Sequence, residues 1–549
     1  MNKREVAHAL RTMGALLEVK GEDSFKVRSY ERAADSLEGH DFDLVAMAKG
    51  GRLTEIPGIG KNLEPKVSEL VLSGRSSFLE SLVQEVPPGI LDLLRVPGIG
   101  PKTARLLHSS LGVAGLPDLR KALAEHRVQG LSGMGRKREE LMQKGLTEIE
   151  RYAGRLSLGI ALPVLEDLVE ALASSGLAAQ IVGETRRYEE TVASLDVLVK
   201  ESESEEPWKA LHRSGLFPVE DPLALQANWD EASRRFSFST SFGVPLRVFF
   251  CGEEALDWRA TEITGPRAFV DLLEKHGRDG GLGRLPPELR HRPEFADMAF
   301  SSTAELERVV AQLVSPEDIQ GDLHIHTTWS DGVASVEDMV AAAREMGYRF
   351  IAITDHATEI KMIRGLNSDK LAAQVLEIES LRPKYPDIRI LTGVEVDILR
   401  DGRLFLENDL LSKLDVVVAS VHQDISDSRG ELVNRLVKAA SNPVVDILGH
   451  ITGRVIGRRP GVTEGLTPVF EAAVKHGTAL EVNASPERLD LPENLAVEAV
   501  SMGANLAVCT DAHAPGSLRS MRYGVYAVLR RAAVSKDRVL NASCYPPRS

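Results

Sequence analysis

Histidines and acids recur at the ends of apolar runs in the C-terminal part of this chain. His324 and His326 close "GDLHIH", with Asp331 on the "SDG" turn just after; His356 closes "FIAITDH", and Glu395 lies in "ILTGVEV". His422 and His450 close "VVVASVH" and "VVDILGH", and Asp511 and His513 end "LAVCTDAH". Side chains at i and i+2 of a strand share a face, so His324 and His326 can converge on one point. One histidine at such a place is ordinarily structural. Six of them beside three acids demand compensation, because each neutral ring nitrogen needs a partner and each carboxylate a cation. Metal ions supply both, and the mixed nitrogen and oxygen donors suit manganese, zinc or iron. The chemistry to expect is phosphoester hydrolysis, in which metals polarise phosphate oxygens and acidify a water without a side-chain nucleophile.

The elements that must carry these groups can be read from periodicity. Apolar runs alternate with amphipathic stretches such as "SVEDMVAAAREMG", "ELVNRLVKAAS" and "PVFEAAVKHG", which predicts a parallel β/α barrel from residue 321 onward. Active sites of such barrels gather at the C-terminal ends of the strands, where the histidines and acids stand. Arg454, Arg458 and Arg459 come after the His450 strand and are candidate phosphate clamps, with a basic surface loop as the rival reading. Glu481 and Asn483 end another strand inward, for substrate orientation or for packing.

Toward the N-terminus three glycine turns lie between helical patterns. "LTEIPGIGKNLEPKVSELVLSG" turns at Gly58 and Gly60, "LLRVPGIGPKTARLLHSSLG" at Gly98 and Gly100, and "VQGLSGMGRKREELMQKG" at Gly133 and Gly135. Glycine lets the backbone approach a ligand, and a turn that opens into a helix aims free N–H groups outward, so a phosphate is a natural guest. Lys61, Lys102, Arg136 and Lys137 stand beside the turns. A lone turn of this kind is usually a plain helix–helix connection; three copies favour a phosphate ligand. They resemble helix-hairpin-helix motifs, the third without the proline, and the resemblance implies sequence-independent DNA binding. Together with "GEDSFKVRSYERAADSL" the first hairpin resembles the small N-terminal domain of family X DNA polymerases. That resemblance puts Lys66 at the Schiff-base lysine of the lyase members and Lys26 and Tyr30 at its phosphate-binding partners. A solvated helix lysine after Pro65 is the plainer reading of Lys66.

Residues 155–315 should alternate strands and helices. "AQIVGETRRYEETVASLDVLVK" resembles the nucleotidyltransferase signature of family X: Gly183, Arg186, Arg187 and Asp196 match, while Glu184 replaces a serine and Ser194 the first aspartate. The third carboxylate should precede Leu246-Arg247, where Pro245 stands. Two-metal phosphoryl transfer needs several carboxylates around ions ~4 Å apart, so one aspartate is insufficient. Glu253, Glu254 or Asp257 would stand in only under another register. "TEITGPRAF" is similar to the family's sugar-binding segment, and the stretch after it is short and keeps only "LPPELR". The acidic run "ESESEEPWKA" reads as a solvated loop.

At 549 residues the chain exceeds one ordinary core, and 43% hydrophobic with 27% charged residues is globular composition. No apolar run approaches the ~20 residues of a membrane span, and the N-terminus lacks an export signal, so a cytoplasmic protein is expected; the resemblance to family X DNA polymerases implies a bacterial, nucleoid-associated one. Cys251, Cys509 and Cys544 are too scattered for a disulfide framework or a thiolate zinc site. The net charge of −14 argues against an indiscriminate nucleic-acid coat and leaves local phosphate sites open.

Residues 321–549 resemble the PHP (polymerase and histidinol phosphatase) family through "HIHTTWSDG", "TDH", "GVEVDIL", "SVH", "GHITGR" and "TDAH". The resemblance implies three divalent ions, manganese foremost. His324, His326, Glu395 and Asp511 would hold the first; Glu395 would bridge to a second held by His422 and His450; Asp331, His356 and His513 would hold the third, with Glu395, Asp511 and His513 as catalytic residues. The whole order resembles bacterial DNA polymerase X. It implies an N-terminal lyase-like helical domain with the first hairpin (1–80), a fingers-like hairpin region (81–154), a degenerate α+β palm and thumb-like region (155–315) and a distorted β/α barrel (316–549). The expected activity is a DNA-repair 3′-to-5′ exonuclease or 3′-end phosphoesterase with polymerisation lost, and abasic-site incision as a second activity on the same metals. The alternatives are a small-molecule phosphatase of histidinol-phosphatase type, a non-catalytic DNA-binding scaffold, or a still-active gap-filling polymerase using magnesium. A monomer is assumed, with DNA as the partner and no membrane.

Overall fold

The computed structural model of the protein describes all residues except 1–2, 40–43, 88, 203–204, 218–221, 268–269, 272–273, 275–311, 361–364, 424–428 and 543–549. The expectations for "LPPELR", for most of the thumb-like stretch and for Cys544 concern residues outside that set. No helix among the described residues is long and apolar enough to cross a membrane.

The first part is helical throughout, from Lys3–Lys20 to Arg136–Arg151, around one apolar core that runs from Val6 to Ile149. Its three glycine turns share one shape. The first glycine of each takes a left-handed backbone, with φ of 84° at Gly58, 83° at Gly98 and 76° at Gly133, a region costly for residues with a Cβ. The apolar residue between the glycines, Ile59, Ile99 or Met134, is buried and anchors the turn. The second glycine of each turn faces open space. The missing proline therefore leaves the third turn unchanged in form.

The middle is a five-stranded mixed sheet in the order Ala179–Ile181, Leu195–Lys200, Pro245–Cys251, Arg235–Ser239, Trp229–Asp230, packed on the helix Leu158–Ser174. The strands Leu195–Lys200 and Pro245–Cys251 are parallel, with Leu195 opposite Leu246 and Asp196 opposite Arg247. Ser194 and Pro245 thus meet at one end of the sheet. Glu253, Glu254 and Asp257 come after the opposite end of Pro245–Cys251, about 20 Å away at ~3.3 Å per residue, and Glu253 pairs there with Lys200 at 2.6 Å. The alternative register that would recruit them is excluded.

The last part is a nearly closed parallel barrel. Its strands run in the order Leu506–Cys509, Ala479–Asn483, Ile447–Leu448, Val416–Ser420, Arg389–Asp397, Phe350–Ile353, Gly321–Asp322, with His356–Ala357 also paired to Arg389–Asp397. Every residue of Arg389–Asp397 after the first is buried, as expected when both faces of a parallel sheet are covered. The helix Val336–Glu345 shows how a cover forms. Ser335 and Asp338 make a reciprocal capping box, and Val336, Met339, Val340 and Ala343 turn one face to the barrel. "GDLHIH" is a regular strand only at its first two residues; beyond them the chain closes the barrel through His324 and Ala512, where Asp511 N donates to His324 O at 2.9 Å and His326 N to Ala512 O at 2.8 Å.

Candidate metal centre

The six histidines and three acids converge at one end of the barrel. His326 Nε2 lies 3.0 Å and His324 Nε2 3.8 Å from Asp511 Oδ1, and Glu395 Oε2 is 3.3 Å from His324 and 3.5 Å from His326. His422 and His450 each reach Glu395 Oε1 at 3.1 Å. His356 and His513 face the two oxygens of Asp331 at 3.6 and 3.4 Å. Their ligand atoms form three overlapping groups: His324, His326 and Asp511; His356, Glu395 and His422; and His326, Asp331, His356 and His513. His326 and His356 each belong to two groups, so they stand between sites that the family pattern treats as separate.

The donor set fits divalent ions. His324 Nε2, both His326 nitrogens, His356 Nδ1, His450 Nδ1 and Glu395 Oε2 are buried and lack a hydrogen-bond partner, a cost of about 1–3 kcal/mol each that coordination would remove at one nitrogen of a neutral ring and at the carboxylate. Burial, and then His513 and His356, push the pKa of His326 down to about 3, so its ring is neutral and its lone pair free to coordinate. Burial opposes charge on Glu395 and Asp511, yet the surrounding histidines hold both well below the usual carboxylate range. His450 and Asp511 take positive φ of 25° and 54°, a strained backbone of the kind that clusters at functional sites.

Further carboxylates orient the ligands. Glu481 Oε1 is 2.6 Å from His324 Nδ1 while its other oxygen accepts from His450 N at 2.6 Å; Asp397 Oδ1 is 2.7 Å from His422 Nδ1. Asn483 Nδ2 donates to Asp511 Oδ2 at 3.0 Å. Asp355 accepts from the backbone and hydroxyls of Thr327 and Ser330 and from Gln374 Nε2, which fixes the turn leading to Asp331. Such partners set ring tautomers and donor strength. Asp397 and Asp355 were missed in the sequence, although each stands in a quoted motif one or two residues from a ligand.

Of the three arginines after His450, Arg454 is spent inside the protein, donating to Arg488 O at 2.6 Å, Leu489 O at 2.7 Å and Glu190 at 2.6 Å. It is a tie to the palm, which corrects its reading as a phosphate clamp. Arg458 and Arg459 line a cleft with His422. Arg488, in a loop with no periodic signal, was missed; its Nε lies 3.8 Å from Asp511 Oδ2.

In the palm, Asp196 is buried and Arg247 grips it twice, at 2.6 and 2.7 Å, while also reaching Ser194 Oγ at 2.5 Å. Gly183 has a φ of 73°, and a Cβ there would collide with Asp196 Oδ2, so the glycine is what admits the aspartate. Arg187 pairs with Glu189 at 3.1 Å, and Glu184 is held by Arg155. In the first domain Lys66 Nζ donates to Asn62 O at 2.8 Å and sits 4.7 Å over the ring of Phe78, on which Tyr30 also stacks. Burial and then Lys26 lower the pKa of Lys66.

Comparison with known proteins agrees with this plan. A helix-hairpin-helix domain model matches residues 1–76, a SAM-like helix-hairpin-helix tandem residues 90–148, and a PHP domain residues 322–485. Fold and site thus define a PHP-domain protein that carries helix-hairpin-helix modules. The chain is 34% identical to the DNA polymerase/3′-5′ exonuclease PolX of Bacillus subtilis strain 168, over 99% of this chain and 98% of that one. It belongs to the bacterial DNA polymerase X family. A Thermoanaerobacter sp. strain X514 protein named "Probable phosphatase" is 29% identical over 40% of this chain and 89% of its own. A Lactococcus lactis histidinol phosphate phosphatase, solved with zinc, L-histidinol and phosphate, is similar at 18% identity with a TM-score of 0.30, covering 39% of this chain and 94% of that one. The PHP domain and the PolX kinship support enzymatic activity, and the hairpin domains with the same kinship support DNA binding.

Proposed function

We propose that this protein is a DNA-repair 3′-to-5′ exonuclease or 3′-end phosphoesterase working at the barrel end, and that its polymerase activity is lost. The observation that carries the reading is the convergence of the nine competent ligands, with buried donor atoms that lack hydrogen-bond partners. His324, His326, Glu395 and Asp511 would hold a first ion, Glu395, His422 and His450 a second, and Asp331, His356 and His513 a third, and manganese suits the set. Divalent ions held there would supply charge to neutralise phosphate oxygens and to acidify a water. Hydrolysis adds water across the terminal phosphodiester, releasing a nucleoside 5′-phosphate and leaving a 3′-hydroxyl on the strand. Arg488, 3.8 Å from Asp511, orients the scissile phosphate, and Glu395, Asp511 and His513 are the catalytic residues.

Loss of synthesis rests on the palm. With Ser194 and Pro245 where carboxylates are needed, Asp196 alone remains, and the Arg247 guanidinium already neutralises it. A cation tethered at that acid disfavours a metal pair there, which supports the reading.

The test follows a 5′-labelled primer, free or annealed to a gapped template, with manganese and with or without the four deoxynucleotides, beside an Asp511→Ala, His513→Ala control. Stepwise shortening without extension, absent in the control, is the expected result. Extension would overturn the palm reading. An intact primer alongside hydrolysis of small phosphomonoesters that DNA does not inhibit would favour the phosphatase alternative.

A further inference from the structure

The second hairpin does not stand apart from the barrel. A cleft of about 670 Å³ lies between them, lined on one side by Arg95 and Val96–Gly100 and on the other by His422, Arg458 and Arg459. One wall is therefore a hairpin built to approach phosphate, and the opposite wall contains a ligand of the metal centre.

The chemistry of both walls favours a polyanion. Gly100 caps the helix Pro101–Leu111, whose first turn presents unpaired N–H groups, and a Cβ at Gly100 would meet nothing within 4 Å. Across the cleft, Arg459 is held by Gly453 O, and neither it nor Arg458 has an ion-pair partner among the described residues. Arg488 stands close enough that burial and then its charge lower the pKa of Arg459. Arg488 is offset by Asp511 at 3.8 Å and Asp490 acts on Arg459, but the guanidinium pair Arg458 and Arg459 has no ion-pair contact of its own among the described residues and is stabilised by an anion. Beyond His422 lie Glu395 Oε2 and His450 Nδ1, buried and without hydrogen-bond partners. The volume is that of a small-ligand site, about 300–1,000 Å³. A duplex, whose major groove alone is about 12 Å wide, does not enter it, whereas a short length of one strand does.

We propose that the second hairpin is the upstream wall of the hydrolytic site itself: it holds the DNA phosphodiester one or two nucleotides 5′ of the scissile bond, with Arg458 and Arg459 opposite. The hairpin then acts on catalysis at the strand end, and not solely as a remote anchor for DNA. This inference rests on the reading of the barrel as a DNA 3′-end hydrolase.

Gly100→Asp tests it in the full-length protein. Gly100 has φ −84° and ψ 178°, a backbone any residue adopts, and aspartate is a favoured helix cap, so the substitution places a negative charge in the cleft without weakening the helix. The substrates, in manganese, are a 5′-fluorescein-labelled thymidine trinucleotide and bis(p-nitrophenyl) phosphate, which reaches the metals but is too small to span to the hairpin. The expected result is a fall of at least tenfold in the ratio of trinucleotide to small-diester turnover, with the thermal unfolding midpoint held or raised. Arg458→Glu should lower the same ratio from the other wall. If the wild type cleaves the trinucleotide and both variants keep the ratio within twofold, the inference falls and the hydrolase reading stands. If the wild type cleaves the small diester but no trinucleotide, both fall.

Discussion

At the scale of single residues, the metal centre shows a division between groups that point at ions and groups that aim them. Glu481 has no direct approach to the cluster's centre; it holds His324 by Nδ1 and the backbone of His450. Glu481→Gln keeps the shape and removes the charge that makes the His324 ring a better donor. Losing an orienting partner of this type costs about 10–100-fold in metal affinity or activity. We expect manganese affinity, read by titration of the metal-free protein, to weaken within that range, with the fold intact by circular dichroism. Unchanged affinity would make Glu481 a packing residue. The convergence of histidines and acids was legible because most of them follow apolar runs that become barrel strands, whose ends gather at one rim. Arg488 was not, because a lone arginine in an irregular loop carries no period.

Elements show what spacing cannot give. That Arg247 lies across from Asp196 depends on the register between two strands about fifty residues apart, which no local pattern encodes. Once paired, Asp196 is 1% exposed beneath a partly exposed Arg247. Removing one partner leaves an uncompensated charge, so Arg247→Met should cost about 3 kcal/mol, read as a lowered denaturant midpoint by tryptophan fluorescence. Asp196→Asn combined with Arg247→Met should cost much less than the sum of the two single changes, because they share one interaction; a simple sum would show that the contact contributes little. Neither variant should extend a primer. Barrel strands were legible as apolar runs ending in ligands, yet "GDLHIH" is a strand only at Gly321–Asp322. Its histidines are held instead by contacts to the "TDAH" segment, a closure set by the whole barrel.

For the whole molecule, the question is what the middle sheet, with Asp196 alone of the expected carboxylates, contributes. Its ion pairs answer it: Arg454 to Glu190, Arg522 to Glu166 at 2.6 Å, and Arg531 to both Glu189 at 3.0 Å and Glu493 at 2.7 Å. Each pair to Glu190, Glu166 or Glu189 crosses from barrel to palm, and the palm carries the hairpin helices at its N-terminal end. A scaffold of this kind sets the second hairpin over the metal centre, a docking invisible in the sequence because it joins surfaces hundreds of residues apart. The joint should be acid-sensitive with a defined sign. Burial would raise the pKa of Glu189, but Arg531 and Arg187 outweigh it and the net shift is downward. A carboxyl with a depressed folded pKa contributes stability above its unfolded value, near 4.3, and loses it as pH falls through the folded value. Arg531→Met should therefore lower stability by about 1–2 kcal/mol at pH 7, a buried-pair loss discounted for partial exposure. The deficit should shrink toward zero as pH drops below 4, since the wild type then loses the same contribution. The readout is the difference in unfolding midpoint across that range. A difference that stays constant with pH would assign the loss to packing of the arginine stem, and one that grows in acid would reverse the sign and remove Glu189 from the joint.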